Sequence, residues 1–163
     1  MQFVIILILV VCADQFSKLL VLSNMDLYES ISVVPGLFNL TFMTNNGAAF
    51  SLLAGQPALW RQLFFIFTAS LALVVLVFAH RSFSRSHKLY GVAFGLIAGG
   101  AVGNLIDRVR LGHVIDFLDV YVNGWHWPAF NVADSAITVG VILFLVINFV
   151  LERQQRKEQM IKS

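Results

Sequence analysis

Five aspartates are set among long apolar runs: Asp14, Asp107, Asp116, Asp119 and Asp134. Two carboxyls held close together share a proton, because both cannot ionise at short range. One member of such a pair acts as base toward a water, and the other, protonated, polarises a carbonyl. That is aspartyl peptidase chemistry, although spacing alone does not choose the pair among the five. Amides and cations accompany them: Asn45 and Asn46, Asn104 with Arg108, Asn131, and Lys18 four residues after Asp14. Residues i and i+4 share a helix face, so Asp14 and Lys18 can pair. Asn104, Asn131 and Arg108 offer donors to an extended peptide whose backbone must be satisfied in an apolar site, and the amides also offer acceptors.

Other chemistries find less support. Ser135 follows Asp134, but no histidine stands where it would activate a nucleophile. His80, His87, His113 and His126 lack ligand spacing such as H-E-x-x-H, so no metal or other cofactor is expected. The single cysteine, Cys12, excludes an internal disulfide and a cysteine-based metal cluster. A net charge of +2, with no basic stripe and no interleaved stacking aromatics, gives no reason to expect a nucleic-acid partner.

The elements that carry these residues are expected to cross a membrane. Of 163 residues, 58% are hydrophobic and only 12% charged, whereas a soluble domain is about half apolar and a quarter charged. That excess requires the bilayer as solvent for much of the surface. A hydrocarbon core of about 30 Å takes roughly 20 apolar residues in a helix. Four stretches meet this, giving helices at about 3–22, 59–79, 89–108 and 134–152, outer loops at 23–57 and 109–133, and a single membrane domain over 1–163. The first stretch has no positive n-region and Val11 precedes Cys12, so it is expected to be a retained span, neither cleaved nor lipidated.

Seven of the eleven basic residues lie in the loop from His80 to Lys88 and the tail from Glu152 to Ser163. Basic loops stay in the cytoplasm, which puts both termini inside. Asp14, Lys18, Asn45, Asn104, Asp107, Arg108, Asp116, Asn131 and Asp134 then converge near the outer face. Ionisable groups cost about 2.5–3.5 kcal/mol each at the centre of a membrane helix, so a gathering of them marks a site. The inner halves of the helices are nearly featureless, which argues against a channel or transporter pathway. A metal-dependent hydrolase using His113 or His126 is the other alternative, and activity in the presence of a chelator would exclude it.

The outer loops are structured. Ile31–Val34, Pro35-Gly36 and Leu37–Phe42 predict strand, turn and strand. Val114 to Val122 is apolar apart from Asp116 and Asp119 and is followed by Trp125 and Trp127, which predicts an element lying in the interface. Gly91, Gly95, Gly99 and Gly103 form a stripe that admits a neighbouring helix.

Four motifs carry a family resemblance. They are Asp14-Gln-Phe-Ser-Lys18; Asn45-Asn-Gly47-Ala-Ala-Phe50-Ser51; Gly99-Gly-Ala-Val-Gly103-Asn104-Leu-Ile-Asp107-Arg108 through to Val114-Ile-Asp116-Phe117; and Phe130-Asn131-Val-Ala-Asp134-Ser135. In this order, from residue 14 to 135, the chain resembles the bacterial lipoprotein signal peptidases (signal peptidase II), and the last two motifs together are highly specific. The resemblance implies an aspartic endopeptidase of the inner membrane. Its substrate would be a diacylglyceryl-modified prolipoprotein, cut on the amino side of the lipidated cysteine. The catalytic aspartates would be Asp116 and Asp134. Asn45, Gly47, Asn104, Arg108 and Asn131 would contact substrate or support the site, and Asp14 and Lys18 would play supporting parts. Membrane lipids and globomycin-type inhibitors are the further partners implied. The implied architecture is an all-α integral membrane fold of four transmembrane helices, with a small extracytoplasmic β-sheet and a short interfacial helix. Asp119, outside the matched motif, is expected to face water.

Overall fold

The computed structural model describes residues 1–47, 57–83 and 87–162. Among these, four helices are long and apolar enough to cross a membrane. They are α1 (Gln2–Asn24), α2 (Ala58–Phe83), α3 (Leu89–Leu111) and α4 (Val132–Lys162). The extra length of α4 beyond the expected end at 152 is a charged extension, opening Arg-Gln-Gln-Arg-Lys, of strong helix formers. Part of the second motif, Ala48 to Ser51, and part of the basic loop, Ser84 to Ser86, lie outside the described residues.

Helix α3 packs against each of the other three. Its glycine stripe makes this possible. A Cβ on Gly95 or Gly99 would run into Ile6 or Val10 of α1, and one on Gly100 would overlap the carbonyl of Ala133 at the start of α4. The buried stripe of α1 is Val10, Asp14, Lys18 and Val21, half of it ionisable. No residue of α2 is buried, so its apolar surface needs lipid around it. Two apolar clusters hold the ends of the bundle. Tyr90, Ala93, Phe94 and Ile147 pack together at one end. Val21, Phe42, Ile115 and Phe117 join the bundle to a sheet at the other.

That sheet is antiparallel, in the order β1 (Ser30–Val34), β2 (Phe38–Asn45), β3 (Val114–Val122), β4 (Trp125–His126). The β1–β2 hairpin is as expected: Leu37 N–H donates to the Val34 carbonyl across Pro35-Gly36, with Gly36 at φ +82°, the type II arrangement. The interfacial element expected at Val114 to Val122 is instead a strand, and no short interfacial helix occurs among the described residues. The reason is local. Asn123 and Gly124 have φ of 51° and 76°, as a two-residue hairpin turn requires. They fold Trp125-His126 back on Tyr121-Val122.

Strand β2 carries one extra residue against β3. Leu40 pairs with Leu118, but the next pair is Met43 with Asp116. Side chains alternate across a strand, so one extra residue moves all that follow to the opposite face. The bulge therefore puts Asn45 on the same face as Asp116, and leaves Asn39 directly opposite Asp119 on the other.

Candidate active site

Four parts of the chain meet where α1, α3 and α4 join the sheet. The start of α4 is built by Asn131. Its Oδ1 accepts from Asp134 N–H at 2.9 Å, and Asp134 Oδ2 accepts from Asn131 N–H at 3.3 Å. This reciprocal N-cap fixes the first turn and the carboxyl on it. The Asn131 amide then donates through Nδ2 to Asp116 Oδ1 at 2.7 Å, to Asn104 Oδ1 at 3.2 Å and to the Ile115 carbonyl at 3.2 Å. One buried side chain thus ties α3, α4 and β3 together.

Asp116 and Asp134 are held by amides. Asn45 Nδ2 donates to Asp116 Oδ2 at 3.0 Å, and Asn104 Nδ2 donates to Asp134 Oδ1 at 2.8 Å. Asn45 Oδ1 accepts from the buried Gly47 N–H at 3.0 Å, which orients its amide. Neither carboxyl has an ion-pair partner among the described residues. Burial, and next the neighbouring Asp134 carboxylate, push the Asp116 carboxyl up to about 6, against the opposing pull of the Asn45 and Asn131 amides and of Lys18. A carboxyl so placed changes protonation close to neutrality, as a general acid or base must. Arg108 stands beside them. Its guanidinium lies 5.0 Å from the centre of the Phe65 ring, Nη1 donates to the Asn104 carbonyl at 3.3 Å, and Asp134, Asp116 and Asp107 are within its electrostatic reach.

The other carboxylates are committed elsewhere. Lys18 Nζ lies 2.8 Å from Asp14 Oδ2, 2.8 Å from Asp107 Oδ2 and 3.1 Å from Asn104 Oδ1, with Lys18 and Asp14 2% and 0% exposed. Asp14 Oδ1 also accepts from Ala133 N–H at 2.9 Å, in the first turn of α4. Gly103 is required here, because a Cβ would stand 2.5 Å from Asp14 Oδ2. Asp107 Oδ2 accepts from Ile115 N–H at 3.3 Å. Asp119, expected to face water, is buried on the opposite face of β3, where Asn39 donates to it at 3.0 Å and His126 Nδ1 stands 2.8 Å away. The β3–β4 turn covers it, since Tyr121 and His126 stack with centroids 4.7 Å apart.

The structure brings together Asn45, Gly47, Asn104, Arg108, Asp116, Asn131 and Asp134, with Asp14 and Lys18 directly behind Asn104. Two participants had no role assigned from the sequence. Gln15 donates to Asp107 Oδ1 at 2.9 Å and to Asp14 Oδ2 at 3.2 Å. Gln62 of α2 donates to the Arg108 carbonyl at 3.0 Å. An amide side chain inside an apolar span was the available signal for Gln15, whereas Gln62 at a helix entrance gives none.

Comparison with known proteins places this arrangement in context. Residues 6–150 match the family model described as signal peptidase (SPase) II. A lipoprotein signal peptidase of Geobacter metallireducens is 52% identical over 145 residues, covering 89% of this chain and 88% of that protein. One from Shewanella pealeana is 45% identical over 158 residues, 97% of this chain and 92% of the other. A solved bacterial membrane enzyme superposes with a TM-score of 0.82 at 35% identity, covering 95% of this chain and 90% of its own.

Proposed function

The chain belongs to the signal peptidase II family, proteases that remove signal peptides from prolipoproteins, and from that premise we propose that Asp116 and Asp134 are its catalytic pair. It is a multi-pass protein of the bacterial inner membrane. The observation that carries the choice of pair is one of partners. Asp14 and Asp107 share Lys18 as counter-ion and Asp119 is bound by His126, while Asp116 and Asp134 are held only by amides and backbone N–H. Two carboxyls without counter-ions, linked through Asn131, are suited to sharing a proton. With a peptide carbonyl between them, one carboxylate takes a proton from water as the water attacks. The other, protonated, donates to the carbonyl oxygen, and the proton taken from water passes to the departing amine.

Arg108 and the Asn45 amide border the pair, and we assign them to the substrate backbone, with Gly47 shaping the approach. The diacylglyceryl group is read as the feature that positions the substrate, since each buried CH₂ contributes about 0.8 kcal/mol. Cleavage on the amino side of the lipidated cysteine follows from that seating. Globomycin-type inhibitors are expected to occupy the same site. The excess of basic residues in the loop near residue 85 and in the end of α4 supports cytoplasmic termini, with the pair near the outer face. Trp125 and Trp127, 67% and 53% exposed at the sheet end, suit headgroup level. The metal-hydrolase alternative has less to stand on, because the His126 ring binds Asp119 and neither carboxyl of the pair.

The test is cleavage of a purified diacylated prolipoprotein in detergent. Asp116→Asn and Asp134→Asn should each abolish signal-peptide release in folded protein, and the double variant should be little worse than either. If both single variants cleave at the parent rate, the assignment is wrong.

A further inference from the structure

Lys18 has three N–H donors and no acceptor, and the structure gives each donor a different partner: Asp14, Asp107 and Asn104. The first two neutralise charge. The third has another consequence, because Asn104 has a carbonyl end and an amine end. An ammonium can only face the carbonyl end, so Oδ1 must point at Lys18 and Nδ2 must point away, toward Asp134 Oδ1 at 2.8 Å. Reversing the amide would set an NH₂ against both the ammonium and the Asn131 Nδ2 donor, which also meets Oδ1 at 3.2 Å. Asn131 is oriented in turn by the Asp134 N–H on its own Oδ1, leaving Nδ2 for Asp116. Donor direction therefore runs outward from Lys18 through Asn104 to Asp134, and both carboxyls of the pair meet donors.

We propose that Lys18 is a positioning residue whose third N–H orients the Asn104 amide toward Asp134 and so fixes the hydrogen-bond polarity of the catalytic pair. The inference rests on the assignment of Asp116 and Asp134. Lys18 does not touch substrate: it is 2% exposed and enclosed by α1 and α3. Its cage also has no room to give. Asp14 is fixed by Gln15 and the Ala133 N–H, and Asp107 by Gln15 and the Ile115 N–H. The charged groups facing the pair are Lys18, Arg108 and Asp14, and Asp107 faces Lys18 and Arg108 behind them.

Two variants and one measurement on the unaltered enzyme test it. Lys18→Gln removes the cation and, with a side chain one bond shorter, withdraws the donor from Asn104 Oδ1. The kcat should fall about tenfold or more, the size of one lost hydrogen bond to a charged group, with KM within about twofold. The alkaline limb of cleavage, where the pair loses its shared proton, should move to higher pH, because the Lys18 charge no longer favours ionisation of Asp116. Lys18→Met combined with Asp107→Leu removes a cation and a carboxylate together, and thereby avoids leaving two uncompensated buried charges. If Lys18 were merely structural, this double variant, once folded, would cleave at the parent rate and with the parent pH profile, and that result would overturn the proposal. In the unaltered enzyme, the ¹⁵Nζ resonance of Lys18 should move with the same midpoint as the alkaline limb of cleavage; a resonance fixed across that range would also overturn it. Parent-like Lys18 variants alongside inactive Asp116→Asn and Asp134→Asn refute only this inference, whereas active aspartate variants refute the assignment beneath it.

Discussion

Replacing Asn131 separates two jobs that one amide performs. Its Oδ1 caps α4, and its Nδ2 donates to Asp116 at 2.7 Å. Asn131→Ala removes both. Loss of the cap costs about 1 kcal/mol, and loss of a hydrogen bond to a carboxylate about 1.5–3 kcal/mol. Stability should therefore drop by roughly 3 kcal/mol, with cleavage reduced about 30-fold or more if the Asp116 bond is also needed in the transition state. Asn131→Asp keeps a good cap but turns the donor facing Asp116 into an acceptor. At pH 7.5 unfolding should move further than for Asn131→Ala despite the cap, because a buried carboxylate then faces Asp116, the Asn104 oxygen and the Ile115 carbonyl with no donor between them, and cleavage should fall further too. It should recover in part as the pH is lowered, because an un-ionised carboxyl at position 131 can donate. The assay is gel-based release of signal peptide from a diacylated prolipoprotein, with unfolding followed in the same detergent. If Asn131→Asp cleaves as well as the parent near pH 7.5, the division of labour argued from these distances is wrong.

Cleavage by the parent enzyme should decline as pH is raised through about 6, because Asp116, whose carboxyl is raised to that value beside the Asp134 carboxylate, gives up the one proton the pair shares and the pair loses its acid; a rate flat from pH 5 to 7.5 refutes this. Gly103→Ala should lower both stability and rate, since the new Cβ meets Asp14 Oδ2 at 2.5 Å in a cage that cannot yield; overpacking of this kind costs about 1–3 kcal/mol, and wild-type unfolding would contradict it. Asp119→Asn should leave the rate within about threefold while loosening the β3–β4 turn, a loss of roughly 1–3 kcal/mol for a disrupted buried bond, read as faster amide exchange at Tyr121 and Trp127. In a Cys12→Ser background, an impermeant thiol reagent applied to cells with a permeabilised outer membrane should label a cysteine at Asn123 and not one at Gln155; the reverse pattern would invert the orientation.

What the sequence disclosed follows the range of each interaction. Asp14 and Lys18 sit one turn apart on one helix, so their pairing needed no tertiary knowledge. The four spans rest on length and apolarity, and Pro35-Gly36 between alternating strands announces its own turn. Asn123-Gly124 was an equally local signal for the second hairpin, but the apolar run before it and the tryptophans after it suggested an interfacial element instead. Asp107 was legible only as one carboxylate among five, because its capture by Lys18 depends on how closely α3 approaches α1 along the glycine stripe. The burial of Asp119 was hidden for a similar reason, since its partners Asn39 and His126 arrive through strand pairing. Register is a property of two segments at once, and neither alone contains it.

The extra residue between Leu40 and Met43 makes the site sensitive to parity. Asn45 reaches Asp116 because the number of residues separating it from Leu40 is out of step, by one, with the number separating Val114 from Leu118. Deleting a single residue there would yield a more regular ladder, with better-paired backbone, and would turn the Asn45 amide toward Val21 and Phe117. Removing two would restore its direction while shortening the strand. Along this stretch the tolerance of the chain to length change should therefore alternate between odd and even steps, and not decline smoothly with size. The same hairpin could lose or gain residues in pairs and remain a peptidase, where one residue more or less would leave a sound sheet beside a carboxyl short of a donor.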